Sequence, residues 1–324
     1  MRAWVANTIM AVASAGCGVS FQSGGEQGAT SSAGSGGTDP SSSSAGGAVS
    51  GTGGSGGTSA GATSGGGGEV GGAGGSTSRG CPVGLSGRPL VFVDASGGAF
   101  CIDETEVTVG DYAAFEAAAI PPQTGPHCAW NSTYAPRNDA ADCERQHSDP
   151  TAPNNAIVCI DWCDARDYCA WAGKRLCGKV GGGASDFSAF DDASQDEWMH
   201  ACSAGGTLMF PYGNSYDPVA CIGDDFDGVD DGPDDHPQGV MDAPSCEGGF
   251  SGIFGMSGHT WEWTNVCELD AGDPAQTRCR LRGGSFWDSE NKLSCGASDF
   301  NHFVRGYANK NHGFRCCADP VAAN

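Results

Sequence analysis

Basic residues are scarce in this 324-residue chain: 16 Lys and Arg face 39 Asp and Glu, for a formal net charge of −23. A field of that sign repels nucleic-acid phosphate and anionic lipid, so no nucleic-acid partner is expected. Long apolar runs are missing as well. No internal stretch reaches the roughly eighteen residues that a membrane-spanning helix needs, so membrane attachment must come from an anchor. There is no C-x-x-C pair and no Cys/His spacing of the zinc type. From Gly18 to about Gly80 the chain contains no Leu, Ile or Met, and its single aromatic residue is Phe21. Such a segment cannot bury enough apolar surface to offset chain entropy. It reads as a disordered Gly/Ser-rich tether with an r.m.s. reach of roughly 40 Å.

Glycine and cysteine, by contrast, are plentiful, with 54 and 17 copies. Thiols at this density suit disulfides formed in an oxidising compartment. Residues 1–17 read as an export signal: Arg2 gives a positive end, Ala3 to Ala15 a short apolar stretch, and Ala13-Ser14-Ala15 a small-x-small cleavage site. Ser14-Ala15-Gly16-Cys17 also matches the end of a bacterial lipobox, in which Cys17 becomes lipidated. Cysteine arithmetic favours that reading, because the other sixteen cysteines lie between Cys81 and Cys317 and can close in pairs. The chain is therefore expected to be exported and lipid-anchored to a bacterial membrane, facing periplasm or exterior. Simple secretion is the alternative.

One folded domain is expected over 81–319, followed by a short tail at 320–324. It carries 36 of the acidic residues, and its length supports a single core. Three helices can be placed from their caps. Thr108 with Asp111 opens Val109 to about Ala118, with Tyr112, Phe115 and Ala119 on one face. Asp161 caps Trp162 to Ala172, with Trp162, Ala165, Cys169 and Ala172 in one stripe. Ser194 to Glu197 forms a capping box opening a helix from Glu197 to about Ser203. Leu90–Asp94, Phe100–Asp103, Arg280–Arg282 and His312–Cys316 are the best short strands. The fold class is α+β, irregular and loop-rich, stapled by disulfides. Cys316 and Cys317 should have separate partners, because a bridge between neighbours strains the backbone.

Three features bear on chemistry. The run from Asp224 to Asp235 sets Asp225, Asp227, Asp230 and Asp235 among glycines, a pattern that suits calcium or a solvated acidic loop. The seven histidines show no pair at helical ligand spacing. Asn131-Ser132-Thr133 matches a glycosylation acceptor and reads most simply as a polar turn.

Read in order, FCIDETEVTVGDYAAF (100–115), VCIDWCDARDYCAWAGKRLCG (158–178), SQDEWMHACSAGG (194–206), FPYGNSYD (210–217), GIFGMSGHTWEWTN (252–265), RGGSF (282–286) and GFRCCA (313–318) resemble the formylglycine-generating enzyme, or sulfatase-modifying factor, family. The Cys-rich character is similar to that of exported bacterial lipoproteins carrying this domain. The resemblance implies a single irregular domain with a C-type-lectin-like flavour and structural calcium. It maps calcium ligands to Gly258, Thr260 and Glu262, although Gly255 stands where the family has Asp or Asn and His259 where it has Asn. Active members oxidise a substrate cysteine with oxygen and copper held by two cysteines. Those positions are Asp288 and Leu293 here, so copper is not expected. Ser285 and Trp261 match residues lining the family's reactive groove, where an unknown protein or peptide ligand would bind. The favoured function is a binding or structural ectodomain. The alternative is an oxygen-dependent protein-modifying enzyme with a displaced site built from Cys295, or from His302 and His312.

Overall fold

The computed structural model describes residues 79–121, 125–138, 143, 151–226, 237–269, 272–297 and 302–322. Cys17, Asp227, Asp230 and Asp235 lie outside these residues, as do the export signal and almost all of the tether.

The caps place the helices where the sequence sets them. In α1 (Val109–Ala117), Thr108 and Asp111 exchange the reciprocal bonds of a capping box, and Tyr112 and Phe115 are buried. Ala119 is not on that face. It takes a left-handed backbone (φ 49°), which ends the helix and leaves its side chain exposed. In α2 (Trp162–Trp171), Asp161 accepts from the backbone of Cys163 and Asp164, and all four residues of the expected stripe are buried. The third helix, α3 (Glu197–Cys202), is capped by Asp196, which accepts from Met199 N, and not by Ser194. Ser194 instead donates to Asp192 at 2.6 Å. Glu197 turns away from the expected box to bind Arg175 at 2.6 Å. A short α4 (Glu290–Leu293) follows near the end of the domain.

Two sheets carry these helices. In the first, Leu90–Val93, Phe100–Asp103, Cys316–Ala318 and Arg175–Leu176 lie side by side and antiparallel. The second has the order His302–Val304, Arg278–Arg282, Trp261–Cys267, His312–Phe314, and Ser185–Asp186 also pairs with Trp261–Cys267. The single strand expected over His312–Cys316 is thus two strands. The chain leaves one sheet at Phe314 and enters the other at Cys316, with Arg315 fully buried at the crossing. Val321–Ala322 pairs with Arg79–Gly80, so the paired ends extend just beyond the expected limits of 81–319.

Helices α1 and α2 pack with Trp261, Trp263 and Phe314 of the second sheet into one apolar cluster. A second cluster gathers Phe100, Ile102, Trp198, Met256 and Ile253. All sixteen cysteines from Cys81 to Cys317 are paired in eight disulfides: Cys81–Cys101, Cys128–Cys163, Cys143–Cys159, Cys169–Cys316, Cys177–Cys317, Cys202–Cys295, Cys221–Cys246 and Cys267–Cys279. Cys316 and Cys317 do have separate partners, as alternation along a strand requires. So many bridges require an oxidising environment to form and persist.

Candidate functional site

The Gly283-Gly284 turn delivers Ser285 into the interior, where it is fully buried. Its hydroxyl donates to Asp288 Oδ2 at 2.7 Å, and its backbone N–H donates to the same oxygen at 3.0 Å. Lys292, one helical turn on, donates to Asp288 Oδ1 at 2.8 Å. Asn311 Nδ2 reaches the Ser285 hydroxyl at 3.1 Å. Leu293 is buried beside them, and its carbonyl accepts from Ser257 Oγ at 2.5 Å. Trp261 is also buried, and its backbone N–H donates to the Asn311 carbonyl at 2.8 Å. Ser285, Trp261, Asp288, Leu293 and Asn311 are therefore brought together.

The chemistry of this cluster is set by a carboxylate and an aliphatic side chain. Asp288 holds hard oxygen donors already engaged by a hydroxyl and an ammonium, and Leu293 has no ligand atom. Soft cuprous copper needs thiolates, which neither position supplies. Cys295 is not the missing thiol, because its sulfur is bonded to Cys202. This corrects the expectation that Cys295 could anchor a displaced site. His312 is buried and its pKa is pushed down to about 3 by loss of hydration, while burial and Arg280 also lower that of His302. Among the described residues, no group of three or more His, Cys, Asp or Glu side chains is placed to hold a metal.

Two polar atoms beside Ser285 have no partner: Trp287 Nε1, a donor, and Asn311 Oδ1, an acceptor. The Lys310 ammonium lies 3.3 Å from the Trp287 ring centroid. Sequence reasoning missed Trp287, Lys292, Lys310 and Asn311. The S-x-x-D spacing of Ser285 and Asp288, and the i,i+4 spacing of Asp288 and Lys292, were signals that could have found part of the cluster.

The residues mapped to calcium are arranged differently. Both Glu262 oxygens accept from Arg315 Nε, at 2.9 and 2.8 Å, and Trp198 Nε1 donates to Oε2 at 2.8 Å. Arg315 also donates to the Gly255 carbonyl at 3.0 Å and lies 3.6 Å from Glu106 Oε2. Gly255 has φ +67°, and a Cβ there would come within 2.6 Å of Glu106 Oε2. An Asn or Asp side chain at 255 would therefore have to displace the Glu106 carboxylate. A guanidinium neutralises these carboxylates and engages both oxygens of Glu262 in this arrangement. His259 adds to the cluster through Nδ1, 3.0 Å from Glu106 Oε1. Burial pulls the His259 pKa down, but the Glu106 carboxylate and the Gln238 carbonyl outweigh it, and the net direction is up. Asp225, the described member of the acidic run's four candidates, accepts from the Tyr216 hydroxyl at 3.0 Å.

Residues 66–320 match the family model of the sulfatase-modifying factor enzyme 1-like domain. The chain belongs to this family. Within it, the chain is 27% identical over 186 residues to the formylglycine-generating enzyme of Mus musculus, covering 52% of this chain and 45% of that protein. It is 28% identical over 175 residues to the inactive C-alpha-formylglycine-generating enzyme 2 of Bos taurus, covering half of each. The chain thus spans about half the length of these curated relatives. Among solved structures, PvdO from Pseudomonas aeruginosa aligns with 19% identity and a TM-score of 0.42, covering 72% of this chain and 90% of that one. The GGS turn, the Trp-Glu-Trp strand and the GFR strand, which the resemblance singled out, meet around Ser285, Glu262 and Arg315.

Proposed function

We propose that this family member is a non-oxidising ectodomain: an exported, lipid-tethered module that binds or supports another molecule and performs no copper-dependent oxidation. One observation carries the reading. The resemblance maps the family's thiolate positions to Asp288 and Leu293, and the nearby Cys295 is closed in a disulfide with Cys202. That one relative is named as inactive is consistent with a family whose scaffold outlives its chemistry. The ligand would be a protein or peptide segment at the Ser285 cluster. Calcium is kept as a proposal for the acidic run around Asp225 alone.

The test is to incubate the purified chain with copper(I), oxygen and a cysteine-containing peptide. No stoichiometric copper and no loss of peptide thiol is the expected result. One tightly held copper with conversion of the peptide cysteine to an aldehyde would overturn the reading.

A further inference from the structure

A second constellation, sharing no residue with the Ser285 cluster, surrounds a cavity of about 400 Å³ at the start of α2. This volume suits a small molecule or one long side chain. Its wall includes Asp161, Asp164, Asn131, Trp130 and Arg137.

Asp161 uses one oxygen twice: Oδ1 accepts from the backbone of Cys163 at 2.9 Å and of Asp164 at 3.0 Å. Its Oδ2 has no such partner, although the residue is only 6% exposed. Asp164, 1% exposed, accepts from Asn131 Nδ2 at 2.7 Å and from the Asp161 N–H. Neither carboxylate has a Lys or Arg within salt-bridge distance among the described residues. Arg137, the cation in the wall, donates through Nη1 to the Gly306 carbonyl at 3.0 Å. Burial raises Asp161 to about 6 against the opposing charge of Arg137, and raises Asp164 well above the usual carboxylate range, the latter also through the charge of Asp161. Arg137 thus acts on Asp161 only from beyond salt-bridge distance, and neither carboxylate has a contacting counter-ion among the described residues. The apolar part of the wall is Trp130. Its ring lies against Gly306, where a Cβ would sit 3.5 Å from ring carbons, and its Nε1 is satisfied by the His127 carbonyl at 2.9 Å.

We infer that this cavity binds an organic ammonium group, with the free oxygen of Asp161 as its counter-ion and the Trp130 ring as its apolar and cation–π wall. A metal ion is less suited, since no third carboxylate, His or Cys completes a ligand set among the described residues. The negative charge of the whole chain concentrates cations near such a site. The ammonium can come from a free polyamine or from a lysine side chain of a partner.

Calorimetric titration of the full chain with putrescine and with Nα-acetyl-lysine amide tests this. At least one of them should bind saturably, and which one does identifies the source. The Asp161→Asn variant keeps a good helix cap but loses the charge, and should bind at least about tenfold more weakly. Acetylating the lysine ε-amine should abolish binding to the wild-type chain, a comparison that stands even if the variant fails to fold. Absence of saturable binding by either amine, equal binding of the acetylated ligand or of methyl glucoside, or undiminished binding to a folded Asp161→Asn variant would each overturn the assignment.

Discussion

The Ser285 hydroxyl is 2.7 Å from Asp288 Oδ2, so Asp288 accepts a hydrogen bond from the serine of the GGS turn. Asp288→Ala would leave this buried hydroxyl and the Ser285 N–H without their acceptor. A loss of about 1–3 kcal/mol is expected, read as a lower midpoint in urea with an unchanged slope. A midpoint equal to wild type would show that the contact adds nothing to stability.

Cys202–Cys295 closes a loop with a sequence separation of 93. The double change of Cys202 and Cys295 to Ala should cost about 2–5 kcal/mol, and mass spectrometry of unreduced wild-type protein should find these two residues linked. Free thiol at Cys295 would reopen the displaced-site alternative.

Much of this fold could be read from sequence because its signals are local. Thr108 and Asp161 are caps whose partners lie within three residues, and both helices begin where those side chains dictate. Ser194 was misleading because Asp192 and Asp196 compete for the same turn, a contest that spacing alone does not decide. The break at Arg315 was hidden for a different reason. Its partners, Glu262 and Gly255, are more than fifty residues away, and no local pattern announces that a strand will change sheets there. A separation of 26 residues likewise concealed Asn311 beside Ser285.

A pH dependence follows from Asp161. Burial raises its folded-state pKa to about 6, above the value near 4 expected in the unfolded chain. The folded state therefore binds the proton more tightly, and this group's contribution to stability grows as pH falls from about 6 towards 4 and is lost above 6. Asp161→Asn should flatten the profile in that window by up to about 2–3 kcal/mol, measured by denaturant unfolding across pH. An unchanged profile would place the titration elsewhere.

Arg315 and Glu262 are both buried. Glu262→Gln would leave the guanidinium short of a counter-charge, for an expected loss of about 3–5 kcal/mol. Calcium should raise the melting temperature of this variant by no more than it raises that of the wild type. A larger calcium-induced rise in the variant than in the wild type would show that a cation can occupy the space near Glu262.

Calcium bound by the acidic run should instead stabilise the wild-type chain. At a concentration of 100 times its dissociation constant the gain is about 2.7 kcal/mol. Replacing Asp225, Asp227, Asp230 and Asp235 together with Asn should remove the response to chelator in a melting experiment. A chelator-insensitive wild type would dispose of the calcium proposal.

Cys316 and Cys317 stand side by side, yet one is tied to Cys169 in the cluster beneath α1 and α2 and the other to Cys177 in the cluster around Trp198. Their sequence separations are 147 and 140, whereas Cys81–Cys101, Cys143–Cys159 and Cys267–Cys279 span 20, 16 and 12. As the chain emerges into an oxidising compartment, the short loops can close early. Both cores must wait for the same dipeptide. Neither of these two bridges can form until the chain is complete through residue 317.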